Sequence, residues 1–367
     1  MHIVQCLTQS DRGGGQVAVF NLVRSLCREY PNVRMTVALP RGGVFIRHFK
    51  SLGVDVQEFG FNKISFSSFR MIVPFLRELR PDVVHSHGKG AGLYVRSISR
   101  AHLPALRFHS YHGFHPPHHA AASSLYLSLE SFLLGKTDKL IAVSPSEADE
   151  LRRLFPGSGG KITMVPNVVD AEQVSRDAKM PLSTSVEKFL DANKNCHIVT
   201  MVARDDAVKD YPLAISSAGQ VLEKKNNVAF IFIGVSEYGK EFRRLRDLSS
   251  GRVLGLSFHD SPAAVVERSH CVLLTSKKEG GLPLVIQEAF CLGKPVVATD
   301  VEGIRDLVRN KENGLLCEQT AGSLSSAILE LTKDDALYAK LSQGARDSSR
   351  SFDQRTWAHR YYELYQK

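Results

Sequence analysis

Ser276-Lys-Lys-Glu279-Gly-Gly281-Leu282-Pro283-Leu284-Val285-Ile-Gln-Glu288-Ala-Phe-Cys-Leu-Gly-Lys-Pro-Val-Val-Ala-Thr-Asp300 is the stretch whose reading decides the fold. An apolar run, Cys271–Leu274, precedes it. The pattern predicts a strand, a glycine-bearing loop, a helix opened by Pro283 and a second strand over Pro295–Thr299. Proline suits a first helical turn because its missing N–H is an orphan there anyway. Such a helix aims free amides and the positive end of its dipole at whatever lies above the sheet. Glu279 falls in the loop and Glu288 about a turn and a half into the helix. Amides suit an anion and carboxylates suit hydroxyl groups; a nucleotide sugar offers both.

Outward from this stretch, apolar strands alternate with amphipathic helices. Strands are expected at Ile3–Leu7, Arg34–Leu39, Val54–Phe59, Asp82–His85, Arg107–Ser110, Lys139–Val143 and Lys161–Val165. Helices are expected at Gln16–Glu29, Phe69–Leu79, Leu125–Leu134 and Ser146–Leu154. Residues 171–195 break the rhythm with polar residues, Pro181 and a Ser/Thr cluster, and read as a linker with a short helix. Strands resume at His197–Val202, Val228–Ile233, Cys271–Leu274, Pro295–Thr299 and Gly314–Leu316. The alternation predicts an α/β protein with parallel, doubly wound sheets. Residues 1–170 form one domain, 196–350 a second, and 351–367 an aromatic closing helix. Ligands in such sheets bind at the carboxyl ends of strands, and two domains place the expected site in a cleft between them.

The chain has 367 residues, too many for one ordinary core. No apolar run approaches the ~18 residues of a membrane span, and the N-terminus reads as a buried strand rather than a leader. A cytoplasmic protein is expected. The six cysteines, at 6, 27, 196, 271, 291 and 317, include no C-x-x-C pair, which argues against disulfide or metal use. Residues 1–180 carry 22 Lys and Arg against 14 Asp and Glu, so most of the formal charge of +9 sits there. A basic half of this kind suits an acidic substrate, an anionic membrane or nucleic acid, or is simply a solvated surface.

Several segments, in order, resemble one family: the retaining glycosyltransferases of the GT-B fold, glycosyl transferases group 1 (family 4). They are Gly13-Gly14-Gly15-Gln16 with Asn21-Leu22, Pro81-Asp-Val-Val-His85-Ser-His87, Tyr111-His112-Gly113, Leu140-Ile-Ala-Val-Ser144, Val165-Pro-Asn167-Val-Val-Asp170, Val202-Ala-Arg204 with Lys209, Ile233-Gly234 and Ser276–Asp300. The resemblance spans nearly the whole chain. It implies two Rossmann-like domains facing a cleft, with the first binding acceptor, the second binding a UDP- or GDP-linked sugar, and the closing helix packing back on the first. One departure stands out. The family has seven residues between its two glutamates, whereas Glu279 and Glu288 have eight, so strict spacing puts Gly280 in the first glutamate's place. A one-residue bulge at Gly280 and Gly281 would reconcile the two.

By the same resemblance, Arg204 and Lys209 hold the diphosphate, matching the chemistry of a planar fork and a movable point charge. Glu288 takes the ribose hydroxyls and Glu279 the donor sugar. Amides near Gly281, Leu282, Leu284 and Val285 meet the phosphates. Gly14, Gly15 and Gly234 allow close backbone approach. His112 touches the donor sugar, His115 and His118 lie on the acceptor side, and His85 and His87 satisfy hydrogen bonds beneath the site. The histidine-rich run His109–His119 also suits a metal in principle, yet it contains two prolines and no nearby carboxylate or cysteine. The resemblance implies same-face substitution without metal or cofactor, in surface-polysaccharide or lipopolysaccharide biosynthesis; the basic first half motivates attachment at the inner face of the cell membrane.

Two other classes compete. Gly13-x-Gly15-x-x-Ala18 satisfies a dinucleotide fingerprint for an NAD(P)-dependent oxidoreductase, but the next strand ends in Pro40-Arg41 with no carboxylate. The basic balance would also suit a nucleic-acid-binding protein, but no zinc finger, RNA-binding aromatic signature or basic recognition helix is present. No nucleic-acid partner is expected.

Overall fold

The computed structural model describes residues 1–11, 13–61, 63–117, 119–158, 160–235 and 239–367. His118, expected on the acceptor side, lies outside them. The chain forms two compact units, Met1–Val168 with Asp353–Lys367, and Val169–Phe352.

The first unit contains β1 (His2–Leu7), α1 (Gly14–Glu29), β2 (Arg34–Leu39), α2 (Phe45–Ser51), β3 (Asp55–Glu58), α3 (Phe66–Leu79), β4 (Val83–His87), α4 (Lys89–Ser97), β5 (Leu106–Ser110), α5 (Ala120–Gly135), β6 (Lys139–Ala142), α6 (Pro145–Leu154) and β7 (Ile162–Met164). The second contains α7 (Ala171–Asp177), α8 (Thr184–Ala192), β8 (His197–Val202), α9 (Tyr211–Lys224), β9 (Val228–Ile233), α10 (Lys240–Leu248), β10 (Val253–Leu256), α11 (Pro262–Glu267), β11 (Cys271–Leu274), α12 (Leu284–Cys291), β12 (Val296–Thr299), β13 (Gly314–Cys317), α13 (Ala321–Leu331) and α14 (Asp335–Ser349). Helix α15 (Gln354–Tyr365) closes the first unit.

Each sheet is parallel. Their orders are β3-β2-β1-β4-β5-β6-β7 and β10-β9-β8-β11-β12-β13. Both are doubly wound, and the order reverses between β1 and β4 and between β8 and β11. Loops leaving the carboxyl ends of those pairs flank each sheet's natural ligand crevice. Strands covered on both faces read as continuous apolar runs; β9, Val-Ala-Phe-Ile-Phe-Ile, is buried throughout. Buried polar residues in the centre of the first sheet include Gln5 in β1 and His85, Ser86 and His87 in β4.

The structure departs from expectation in places. Residues 171–195 do not form a linker. They carry α7 and α8 within the second unit, and Val186 and Phe189 pack with Ile198, Ala229 and Ile231. Buried apolar residues on a short helix are hard to see amid polar neighbours. Helices α2 and α4 and strand β10 were not expected, and β4 runs on to His87. Pro283 is the N-cap of α12, at φ −62 and ψ 118, so the helix begins at Leu284. Helix α15 buries Trp357, Tyr361 and Tyr365. Gln354 Oε1 accepts from Ser25 Oγ at 2.8 Å, and Tyr362 stacks on Tyr30 at 3.8 Å. Among the described residues, no helix is long and apolar enough to cross a membrane.

Candidate active site

In the first unit, the chemistry gathers around His112, just beyond the end of β5. Its backbone is left-handed, at φ 55, a conformation uncommon outside glycine but several-fold enriched in histidine. Two buried carboxylates hold the chain on either side. Before it, Tyr111 Oη donates to Glu130 at 2.6 Å, and Glu130 is paired with fully buried Arg96 at 2.8 Å. After it, the Gly113 amide donates to Glu147 at 2.8 Å, and the same carboxylate takes the Val143 amide at 2.7 Å. Burial pushes the Glu147 carboxyl up to about 7. The strained residue is thus fixed by its surroundings.

The His112 ring joins a buried polar chain. Its Nε2 lies 2.9 Å from His87 Nδ1, and His87 Nε2 lies 2.7 Å from Gln5 Oε1. Burial holds His85 and His87 well below the usual imidazole range, and His112 at about 4. All three are neutral at pH 7. Gly14 and Gly15 open α1, which has no side-chain N-cap bond. A β-carbon on Gly15 would lie 3.6 Å from the His112 ring, so the glycine turn sits against it. His115 follows in the same loop, and its carbonyl accepts from Lys89 Nζ at 2.6 Å. Among the described residues, no three His, Cys, Asp or Glu side chains are grouped to hold a metal.

In the second unit, the site residues lie on the loops after β8, β9 and β11. Gly234 ends β9 at φ 96, and a β-carbon there would stand 1.9 Å from the Ala203 carbonyl oxygen. Tyr211 Oη donates to the carbonyls of Ala203 and Ile233, at 2.8 and 2.9 Å, tying the two strand ends together. Residues 204–210 are fastened to the end of β11: the Lys277 amide donates to the Val208 carbonyl at 2.8 Å, and Thr275 Oγ1 donates to the Lys209 carbonyl at 2.8 Å. Arg204 is exposed and pairs with Asp206 at 3.3 Å, while Asp206 also takes the Val208 and Lys209 amides.

Lys209 and Glu279, expected to hold phosphate and sugar, form an ion pair with each other. Glu279, not Gly280, meets Lys209 and Ser276. The expected bulge does not use left-handed glycines at 280 or 281. The left-handed residue is Gly303, at φ 80. A β-carbon there would stand 2.5 Å from the Gly281 carbonyl oxygen and 2.9 Å from Glu279 Cβ.

Helix α12 follows, with no side-chain cap on its first turn, so the amides of Leu284 and Val285 are available to an anion. Gly281 and Leu282 lead into it. Glu288 lies within α12, half-buried. Burial, with Asp177 adding repulsion, lifts its carboxyl to about 7.

The sequence reading missed Gln5, Tyr365, Arg96, Glu130, Glu147, Ser276 and Gly303. Two had a visible signal. Glu130 is the lone charge in an otherwise apolar and small-residue helix, and Gln5 interrupts an apolar strand.

Comparison with known proteins bears on the family and the fold. Residues 12–173 match the model of Glycosyltransferase Family 4, and residues 184–348 match that of Glycosyl transferases group 1. The chain is 29% identical over 350 residues to N,N'-diacetylbacillosaminyl-diphospho-undecaprenol alpha-1,3-N-acetylgalactosaminyltransferase of Campylobacter jejuni, covering 88% of each. It is 26% identical to UDP-Gal:alpha-D-GlcNAc-diphosphoundecaprenol alpha-1,3-galactosyltransferase of Escherichia coli, covering 71% of this chain and 69% of that one. Among solved structures, Anabaena HepE in complex with UDP superposes with a TM-score of 0.82 at 20% identity, covering 99% of each chain. Matched by these models in both halves and by glycosyltransferase structures along its whole length, the chain has the GT-B fold and belongs to the family 4, group 1 glycosyltransferases.

Proposed function

We propose that this glycosyltransferase moves a hexosyl unit from a UDP- or GDP-linked sugar to a glycan or lipid-linked acceptor, retaining the anomeric configuration and needing no metal ion. The observation that carries this reading is the cluster at the second sheet's reversal point: Arg204, Lys209, the uncapped start of α12, Glu279 and Glu288. The diphosphate would lie on the amides of Leu284 and Val285, with Arg204 and Lys209 offsetting the charge that grows as its bond to the sugar breaks. Glu288 would accept from ribose hydroxyls and Glu279 from a sugar hydroxyl, while the first unit takes the acceptor, with His115 at its entrance.

The acceptor hydroxyl attacks the anomeric carbon on the face the diphosphate leaves. The carbon–oxygen bond to phosphate breaks, and a departing phosphate oxygen takes the hydroxyl proton. No dedicated base is required. Of the two carboxylates that hold the chain beside His112, Glu130 is engaged by Arg96 and Tyr111, and Glu147 is committed to two backbone amides. The protein supplies position and charge, and the two cations do work a divalent ion would otherwise do.

The relatives named above act on diphosphoundecaprenol-linked sugars, which supports a lipid-linked acceptor and a role in lipopolysaccharide or related surface-polysaccharide synthesis. Helix α5 supports attachment at an anionic inner membrane face. It leaves Leu125, Leu129 and Phe132 exposed, and its one charged residue, Glu130, is buried. The dinucleotide reading is not favoured: the connection from Leu7 to Gly14 is longer than that fingerprint's turn, and β2 ends at Leu39 without a carboxylate.

A thermal-shift screen of UDP, GDP, ADP, CMP and their sugars, with NAD and NADP as controls, tests the donor site. Selective stabilisation by one nucleoside diphosphate, lost in Arg204→Ala, supports the reading; stabilisation by NAD alone overturns it. NMR of the product gives the anomer, and undiminished turnover in EDTA tests metal independence. Failure to bind phosphatidylglycerol vesicles at low salt would remove the membrane face.

A further inference from the structure

We propose that Gln5, held by Tyr365, is a positioning residue that fixes the His112 ring in one tautomer, with Nε2 protonated and Nδ1 presented as an acceptor to a sugar hydroxyl. The identity of the hydroxyl rests on the transferase reading; the tautomer does not.

The atoms form a connected path, which continues from Ser110 to Tyr361. Ser110 Oγ lies 3.0 Å from His85 Nε2, and His85 Nδ1 lies 2.7 Å from Tyr365 Oη. Gln5 Nε2 donates to Tyr365 Oη at 3.2 Å, and Gln5 Oε1 lies 2.7 Å from His87 Nε2. His87 Nδ1 then lies 2.9 Å from His112 Nε2. Gln5, His85 and Ser110 are fully buried, and His87 and Tyr365 nearly so.

An amide has one donating end and one accepting end, which gives this path a direction. Gln5 Oε1 only accepts, so His87 Nε2 carries the proton. His87 is neutral, so its Nδ1 is bare and accepts from His112 Nε2–H. His112 is neutral as well, leaving its Nδ1 bare. In the other direction, Tyr365 Oη accepts from Gln5 and donates to His85 Nδ1, and His85 Nε2–H faces Ser110. Every group on the path then has a partner except His112 Nδ1, which is buried and has no hydrogen-bond partner. Turning the Gln5 amide over reverses every proton and leaves a buried N–H at His112 Nδ1 instead. Orphaned N–H groups are rarer than under-satisfied acceptors. The orientation present is therefore the favoured one, and a donating hydroxyl completes it. The backbone cannot adjust in its place, because His112 is held between Tyr111 and Gly113 by Glu130 and Glu147.

Long-range ¹H–¹⁵N correlation of the full-length protein labelled with ¹⁵N-histidine reads the tautomer without substrate, and His112→Asn assigns the signals. The expected wild-type pattern is a protonated Nε2 and an unprotonated Nδ1 at His112. Gln5→Met should give a mixture of tautomers and a roughly tenfold fall in kcat with little change in donor KM. Tyr365→Phe should do the same more weakly. A protonated Nδ1 in wild type, or an unchanged pattern in Gln5→Met, overturns the proposal. The wild-type spectrum decides the direction even where a variant does not fold. Expected tautomers without any transferase activity would sink the functional reading and leave this one standing.

Discussion

Lys209 and Glu279 are ion-paired in the second unit, with side chains only 18% and 11% exposed, and the same carboxylate oxygen accepts from Ser276 Oγ at 2.5 Å. The two groups proposed to hold phosphate and sugar neutralise each other in the ligand-free chain. Removing either leaves a mostly buried charge without its partner, which costs more than the pair itself contributes. Lys209→Met and Glu279→Gln should each lower stability by about 1–3 kcal/mol, and the double variant by less than the sum. Lys209→Met should also slow transfer by on the order of 100-fold. Urea melts with a double-mutant cycle measure the first effect and initial rates the second; additive losses would show that the pair is uncoupled.

Gly303→Ala combines a left-handed φ with a β-carbon 2.5 Å from the Gly281 carbonyl oxygen. The loop carrying Glu279 must shift to admit it. The expected result is a loss of about 1–3 kcal/mol and weaker nucleotide-sugar binding, with acceptor KM unchanged. Calorimetric titration with the donor checks this, and wild-type affinity would show that the loop's position is immaterial.

Glu288 links donor binding to pH. A proton on its carboxyl, lifted to about 7, competes with ribose hydroxyls that would donate to it. Affinity for a nucleotide sugar, whose diphosphate does not titrate here, should fall as pH drops from about 8 to 6, by up to about tenfold per unit. Glu288→Gln should bind more weakly but with a flat pH profile. The sign for stability is opposite. Between pH 4.5 and about 7 the folded chain holds protons on Glu288 and Glu147 that the unfolded chain has lost, so these two groups make stability fall as pH rises through that window. Titrations at several pH values, in buffers of different ionisation enthalpy, would reveal proton release or its absence.

Glu130→Leu leaves the fully buried Arg96 guanidinium without its carboxylate and the Tyr111 hydroxyl without its acceptor. A loss of about 3–5 kcal/mol is expected, together with lower kcat because the residue preceding His112 loses its anchor. Replacing Arg96 as well, with Met, should recover part of the stability. Thermal melts of the single and double variants decide it; a harmless Glu130→Leu would mean the triad does not anchor the loop.

What the sequence by itself determined is what depends on short spacing. Alternating strand and helix periods gave two doubly wound sheets, and residues past strand ends, such as Arg204, Lys209, Gly234 and Glu279, could be assigned to loops at the carboxyl ends of strands because the topology rule acts locally on each strand. The resemblance assigned roles to them. Short helices such as α8, with two buried apolar residues among polar ones, carry too little periodicity to be read. Only the tertiary structure decided which groups meet. Gln5 and Tyr365 are separated by 360 positions and Lys209 and Glu279 by 70. No pattern within either segment encodes such a contact, because it is set by how sheets and helices pack. The same packing placed Glu130 and Glu147 around His112, put Gly303 against the loop of Glu279, and left the Nδ1 of His112 without a hydrogen-bond partner.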